Sequence, residues 1–175
     1  FMEGGFIFAR AARRVEVYDN VIDGAFNGVV GWQVSPLYDR DAMADWDIHD
    51  NLIRRIPDDP LEPEGYVRRW RVWRNRIEHA LTFLSTGPVH DGPIDMFANE
   101  GWQIGTAGLA PDLDGMKVGA AATVFKFSKS SNPQARVRAL GNTFWTNEPG
   151  VDGGAPHAGG SALPESFCVR GNLTR

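Results

Sequence analysis

The sequence predicts an all-β solenoid: one domain over residues 1–175 in which coils of three short strands stack in parallel. Three observations predict it. A phrase centred on an asparagine stands six times in the chain, and the apolar residues before that asparagine alternate with period two. The third is composition: 20 Gly and 11 Pro in 175 residues would interrupt most long helices.

The copies are VEVYDNVI (15–22), WDIHDNLI (46–53), WRVWRNRI (70–77), IDMFANEG (94–101), VRALGNTF (137–144) and FCVRGNLT (167–174). Five places before the asparagine stand Val15, Trp46, Trp70, Ile94, Val137 and Phe167; three places before it stand Val17, Ile48, Val72, Met96, Ala139 and Val169. This alternation is that of a half-buried strand. The asparagine is expected to end it, because its side chain bonds locally and tolerates left-handed backbone geometry. A second strand should open just after it, carrying Ile22, Ile53, Ile77 and, in the fifth copy, Phe144 inward.

The asparagines fall at 20, 51, 75, 99, 142 and 172, so the shortest interval, found twice, is 24 residues. Longer intervals are repeats with insertions, expected near 35–45, 101–120 and 146–165. A unit this short cannot bury its own apolar face, so neighbouring units must share one core. Strands stacked in parallel rise about 4.8 Å per coil, which sets equivalent asparagines above one another where their amides bond along the stack. Third segments are expected at DDPLEPE (58–64), ALTFLST (80–86) and ATVFKFS (122–128).

Eighteen basic residues are interspersed with 22 acidic ones for a net charge of −4, a poor footprint for nucleic acid. The single cysteine, Cys168, excludes an internal disulfide and a cysteine metal cluster. No apolar run approaches the ~20 residues of a membrane helix, so no membrane partner is expected. The chain opens on Phe1 with no leader of secretory type and ends inside a sixth copy of the phrase. It is expected to be a segment of a longer protein, with further segments as partners at the coil ends.

The phrases VYDNVI, VWRNRI and RALGNTFW resemble the repeats of right-handed parallel β-helix proteins of the pectate-lyase-like superfamily, over nearly the whole chain. The resemblance implies a right-handed stack of about six coils. It also implies a secreted, carbohydrate-active protein that acts on or binds a polysaccharide, as a lyase or glycoside hydrolase. The alternative is a non-catalytic binding, adhesive or structural module, because a fold of this kind does not fix a reaction. The Asn-Thr-Asp, Gly-His-Gly and Arg-Ile-Lys motifs of polygalacturonase-type hydrolases are missing.

Chemistry is expected in the first of the three third segments, where Asp58, Asp59, Glu62 and Glu64 fall within seven residues. In an extended segment Glu62 and Glu64 share a face with α-carbons about 6.6 Å apart. Such a group suits a paired-carboxylate hydrolase or a Ca²⁺ site of hard oxygen ligands. Asp59 and Glu62 are the candidate acid and base, and Asp58, Asp59, Glu62 and Glu64 the candidate metal ligands. By the resemblance, elimination from a uronic acid needs a cation on the sugar carboxylate and a base, for which Arg68 and His90 are the candidates. Asp39, Asp41, Asp45 and Asp47, in YDRDAMADWD (38–47), are expected to lie on an adjoining coil and complete an anionic groove. The Gly- and Pro-rich stretch 142–165 adds His157 and Trp145, the latter a candidate for stacking on sugar rings.

Overall fold

The computed structural model describes residues 5–9, 12–33, 43–86, 89–105, 123–127, 135–146, 151–152, 167–171 and 173–174. These residues form strands and connections, with no helix among them. After β1 (Gly5–Ala9) the strands follow in triplets. The first two are β2 (Val15–Tyr18), β3 (Val21–Asp23), β4 (Asn27–Gln33), then β5 (Ala44–His49), β6 (Leu52–Ile56), β7 (Leu61–Gly65). The next two are β8 (Arg68–Trp73), β9 (Arg76–Ala80), β10 (Leu84–Thr86), then β11 (Ile94–Phe97), β12 (Glu100–Ile104), β13 (Phe125–Phe127). Last come β14 (Val137–Leu140), β15 (Thr143–Thr146), β16 (Val151–Asp152), then β17 (Phe167–Arg170) and β18 (Leu173–Thr174).

Each position in the triplet builds its own parallel sheet. The first sheet is ordered β2-β5-β8-β11-β14-β17 and the second β3-β6-β9-β12-β15-β18. The third face holds β1-β4-β7 and β10-β13-β16, with Gly65 bridged to Val89 where the two stacks approach. Parallel strands stacked in this way are consistent with a parallel β-helix. The asparagine phrase registers with itself, as in Trp46↔Trp70↔Ile94↔Val137. Within the ranges expected as insertions, Ala44 and Asp45 belong to β5, Gly101–Ile104 to β12 and Thr146 to β15. Residues 34–42, 106–122, 147–150 and 153–166 lie outside the described residues.

The core runs between the sheets. Trp46 and Trp70 are both fully buried and stack at 4.6 Å, their indole N–H groups donating to Ala12 and Met43 carbonyls. Gly31 makes room for them, since a Cβ there would stand 2.4 Å from the Trp70 ring. Ile22, Ile53 and Ile77 continue as a second column. In the fourth copy that column holds Gly101, because the Phe144 ring lies 2.8 Å from where its Cβ would be. Phe83, Phe125 and Phe144 then close this part of the core edge to face.

Five of the asparagines form a ladder, buried from Asn51 to Asn142. The side-chain amides of Asn20, Asn51, Asn75 and Asn99 each donate to the Oδ1 of the next asparagine at 2.8–3.0 Å, through to Asn142. The left-handed residue, however, is the one before the asparagine and not the asparagine itself: Asp19, Asp50, Arg74, Ala98, Gly141 and Gly171 have φ of 51–65°. The asparagine amide is needed inside the corner to bond the stack, so the chain reversal falls on its exposed neighbour.

Candidate functional site

In β7, Leu61 and Pro63 turn into the core, which puts Glu62 and Glu64 together on the outer face. Asp58 and Asp59 lie on the approach to that strand, and Asp59 is only 1% exposed. Its burial is made possible by three partners. Its backbone N–H donates to Asn27 Oδ1 at 3.1 Å, Thr82 Oγ1 donates to its Oδ1 at 2.8 Å, and Lys126 Nζ donates to its Oδ2 at 2.5 Å. The ammonium also stands 3.9 Å from Asp58 Oδ1. Asn27 Nδ2 reaches the other way and donates to Glu62 Oε2 at 2.8 Å.

The electrostatics follow from this crowding. Burial pushes the Glu62 carboxyl up to about 9, with the charge of Asp59 adding to it. Burial also pushes Glu64 up to about 7, against a hydrogen bond from Glu62 that favours its ionised form. Asp58 rises to about 6 through burial and then Asp59. Glu62 therefore holds a proton at neutral pH and shares it with Glu64. Burial opposes the charge on Lys126, but Asp59 outweighs it and the ammonium is held charged.

The four carboxyls expected to act together thus stand together, and sequence reasoning missed the groups that organise them: Lys126, Thr82 and Asn27. The alignable signal was the third segment itself, where Lys126 interrupts the apolar FKF of β13. Arg68 is placed elsewhere. It opens β8 on the first sheet, where its charge acts on Asp45, whose carboxyl is held low first by the hydrogen bond from Arg69. His90 lies beyond the end of β7, its backbone N–H donating to Gly65 O at 2.7 Å and its ring tilted against Tyr66 at 4.8 Å.

The expected anionic groove is corrected. Asp45 and Asp47 lie on β5, in the same triplet as β7 but on the first sheet, where Arg69 and Arg71 bind them. Asp39, Asp41 and His157 lie outside the described residues. The Lys126 ammonium stands against Asp59 and Asp58, and among the described residues no group of three or more His, Cys, Asp or Glu is arranged to hold a metal.

Two aromatic arrays lie on the outside. Tyr18, His49, Trp73 and Phe97 stack along the first sheet with interplanar angles of 2–15°, so they cover one another's faces and present mainly edges. Trp102 and Trp145, on the second sheet, are tilted by 47° and are 38% and 43% exposed. In comparisons with known proteins, no family model, curated protein or solved structure matches the chain.

Proposed function

We propose that this chain is a carbohydrate-active protein of the right-handed, pectate-lyase-like kind, with about six coils, that acts on a polysaccharide lying across the outer face of β7. The observation that carries this reading is the half-buried pair Glu62–Glu64 on one face of β7 beside the Asp59–Lys126 ion pair. Cleaving a glycosidic bond requires a carboxyl group that still holds a proton near neutral pH, together with an ionised neighbour. Burial supplies the first at Glu62, and Asp58 supplies an ionised carboxylate above about pH 6. Secretion is proposed on the repeat resemblance alone.

A non-catalytic glycan-binding module is the second reading, favoured by the exposed Trp102–Trp145 pair, whose tilt leaves ring surface open to a sugar. One experiment separates the two. The protein is incubated with a panel of neutral and uronic-acid polysaccharides, with and without Ca²⁺, while reducing ends and unsaturated-product absorbance are followed. New reducing ends without absorbance mean hydrolysis, and absorbance means elimination. Retained glycan on the protein with neither signal, and loss of that retention in Trp102→Ala, would select the binding module.

A further inference from the structure

Resting on the reading of β7 as a polysaccharide site, we infer that the sugar unit it takes is uncharged, and that the Ser85 hydroxyl is one of the groups that holds it.

Ser85 is 1% exposed, and its Oγ has no hydrogen-bond partner among the described residues. A buried hydroxyl left without a partner is costly and marks a position where something else completes the bond. Its placement points to the carboxyl group. Thr82, on the approach to β10, bonds Asp59, on the approach to β7, so the two strands lie side by side. Ser85 alternates with the core residue Leu84 and so turns, like Lys126 beside it, to the outer side that carries Glu62 and Glu64. It is in register with Lys126, whose side chain extends past β10 to reach Asp59. The hydroxyl thus lies beside the strand position from which the ammonium extends.

The charges decide the class of ligand. Four carboxyls face one ammonium, and Lys126, the cation acting on Asp58, Glu62 and Glu64 alike, is already bonded to Asp59. A uronate would bring a further carboxylate beside those of Asp58 and Asp59 and meet like charge at short range. An uncharged sugar meets complementary groups instead: a protonated acid and a serine to donate, and carboxylate oxygens to accept. The same preference makes protonation of a leaving oxygen, rather than elimination beside a sugar carboxylate, the chemistry that suits the site.

The test pairs each neutral polysaccharide with its own C6-oxidised form, so that only the carboxylate differs, and measures binding at pH 7 with and without Ca²⁺. The expected result is at least tenfold tighter binding of a neutral member than of its oxidised partner. Ser85→Ala should weaken that binding about fivefold or more while leaving the thermal midpoint unchanged or higher, since it removes an unpartnered hydroxyl. Equal or tighter binding of the oxidised form, in either Ca²⁺ condition, overturns the inference but leaves the polysaccharide reading standing. Tighter binding of a de-acetylated amino-sugar polymer does the same. Unchanged affinity in Ser85→Ala overturns the role given to that hydroxyl, and absence of binding to every member overturns both readings.

Discussion

Lys126 Nζ lies 2.5 Å from Oδ2 of Asp59, a residue 67 positions earlier in the chain and almost wholly buried. The pair joins the third face across two strand stacks. It ties the carboxyl site to the stability of the fold, because the buried Asp59 carboxylate has no alternative in water.

Replacing Lys126 by Met keeps most of the volume and leaves Asp59 buried without its cation. Breaking one side of a buried pair costs about 3–5 kcal/mol. The double variant Lys126→Met with Asp59→Asn should recover part of that loss. Urea denaturation of the single and double variants checks it, and additive losses would show that the two side chains do not act as a pair.

The raised carboxyls set the pH dependence. Glu62, Glu64 and Asp58 have folded-state values of about 9, 7 and 6 against 4.5 and 3.8 unfolded. The native state therefore binds more protons than the unfolded chain between those limits, and stability falls as pH rises through them. Asp23, Asp45 and Asp50 act with the opposite sign. Their carboxyls are held low first by hydrogen bonds from Arg55, Arg69 and Arg74, so their contribution is lost only as pH falls below about 4. The thermal midpoint should peak near pH 4–6 and decline towards pH 9. Glu62→Gln should flatten the alkaline limb; an unchanged limb would mean that Glu62 is not the group responsible.

If Glu62 donates the proton in bond cleavage, Glu62→Gln lowers turnover by about 10²–10⁴-fold, the usual worth of a positioned acid. Binding of the polysaccharide should change far less, because the amide can still donate a hydrogen bond. Turnover within threefold of the parent, in a folded variant, would exclude Glu62 as the acid.

Backbone geometry gives a prediction independent of function. Ala98 occupies the left-handed corner position at φ 53°, where two other copies of the phrase carry Gly141 and Gly171. A residue with a Cβ pays about 1–2 kcal/mol there, and glycine returns about 0.5–1 kcal/mol of it as unfolded-state entropy. Ala98→Gly should raise the thermal midpoint by about 1–4 °C. A lower midpoint, read by calorimetry, would show that the Ala98 methyl contributes packing that its exposure does not suggest.

The strands were legible because the pattern that marks them is the pattern that packs them. Val17, Ile48, Val72 and Met96 alternate in sequence and stack in space, and each third strand falls in or beside the segment expected to hold it. The site was legible only in part. Glu62 and Glu64 share a strand, whereas Lys126 enters across an insertion of irregular length that breaks the count. The acids at 45 and 47 were misplaced for a different reason. Their partners Arg69 and Arg71 stand one 24-residue period later, as Arg74 does for Asp50, so the pairing was written in the repeat. Treating acidity as one pooled property concealed it.

The asparagine ladder makes the sharpest prediction about the fold. Asn75 sits in its middle. It accepts from the backbone N–H and the side-chain amide of Asn51 and donates to Ile48 O, Trp73 O and Asn99 Oδ1. Alanine at this position strands buried donors and acceptors on both neighbouring coils, at about 1–3 kcal/mol for each one left without water. Asn75→Ala should therefore cost about 3 kcal/mol or more. Asn20 is half-buried, at the end of the ladder, and donates to Asn51 without a described asparagine bonding it from the other side. Asn20→Ala should cost about 1 kcal/mol, as for a single hydrogen bond. Denaturant unfolding of the two variants measures the difference, and equal losses would mean that the ladder stabilises each coil separately instead of binding one coil to the next.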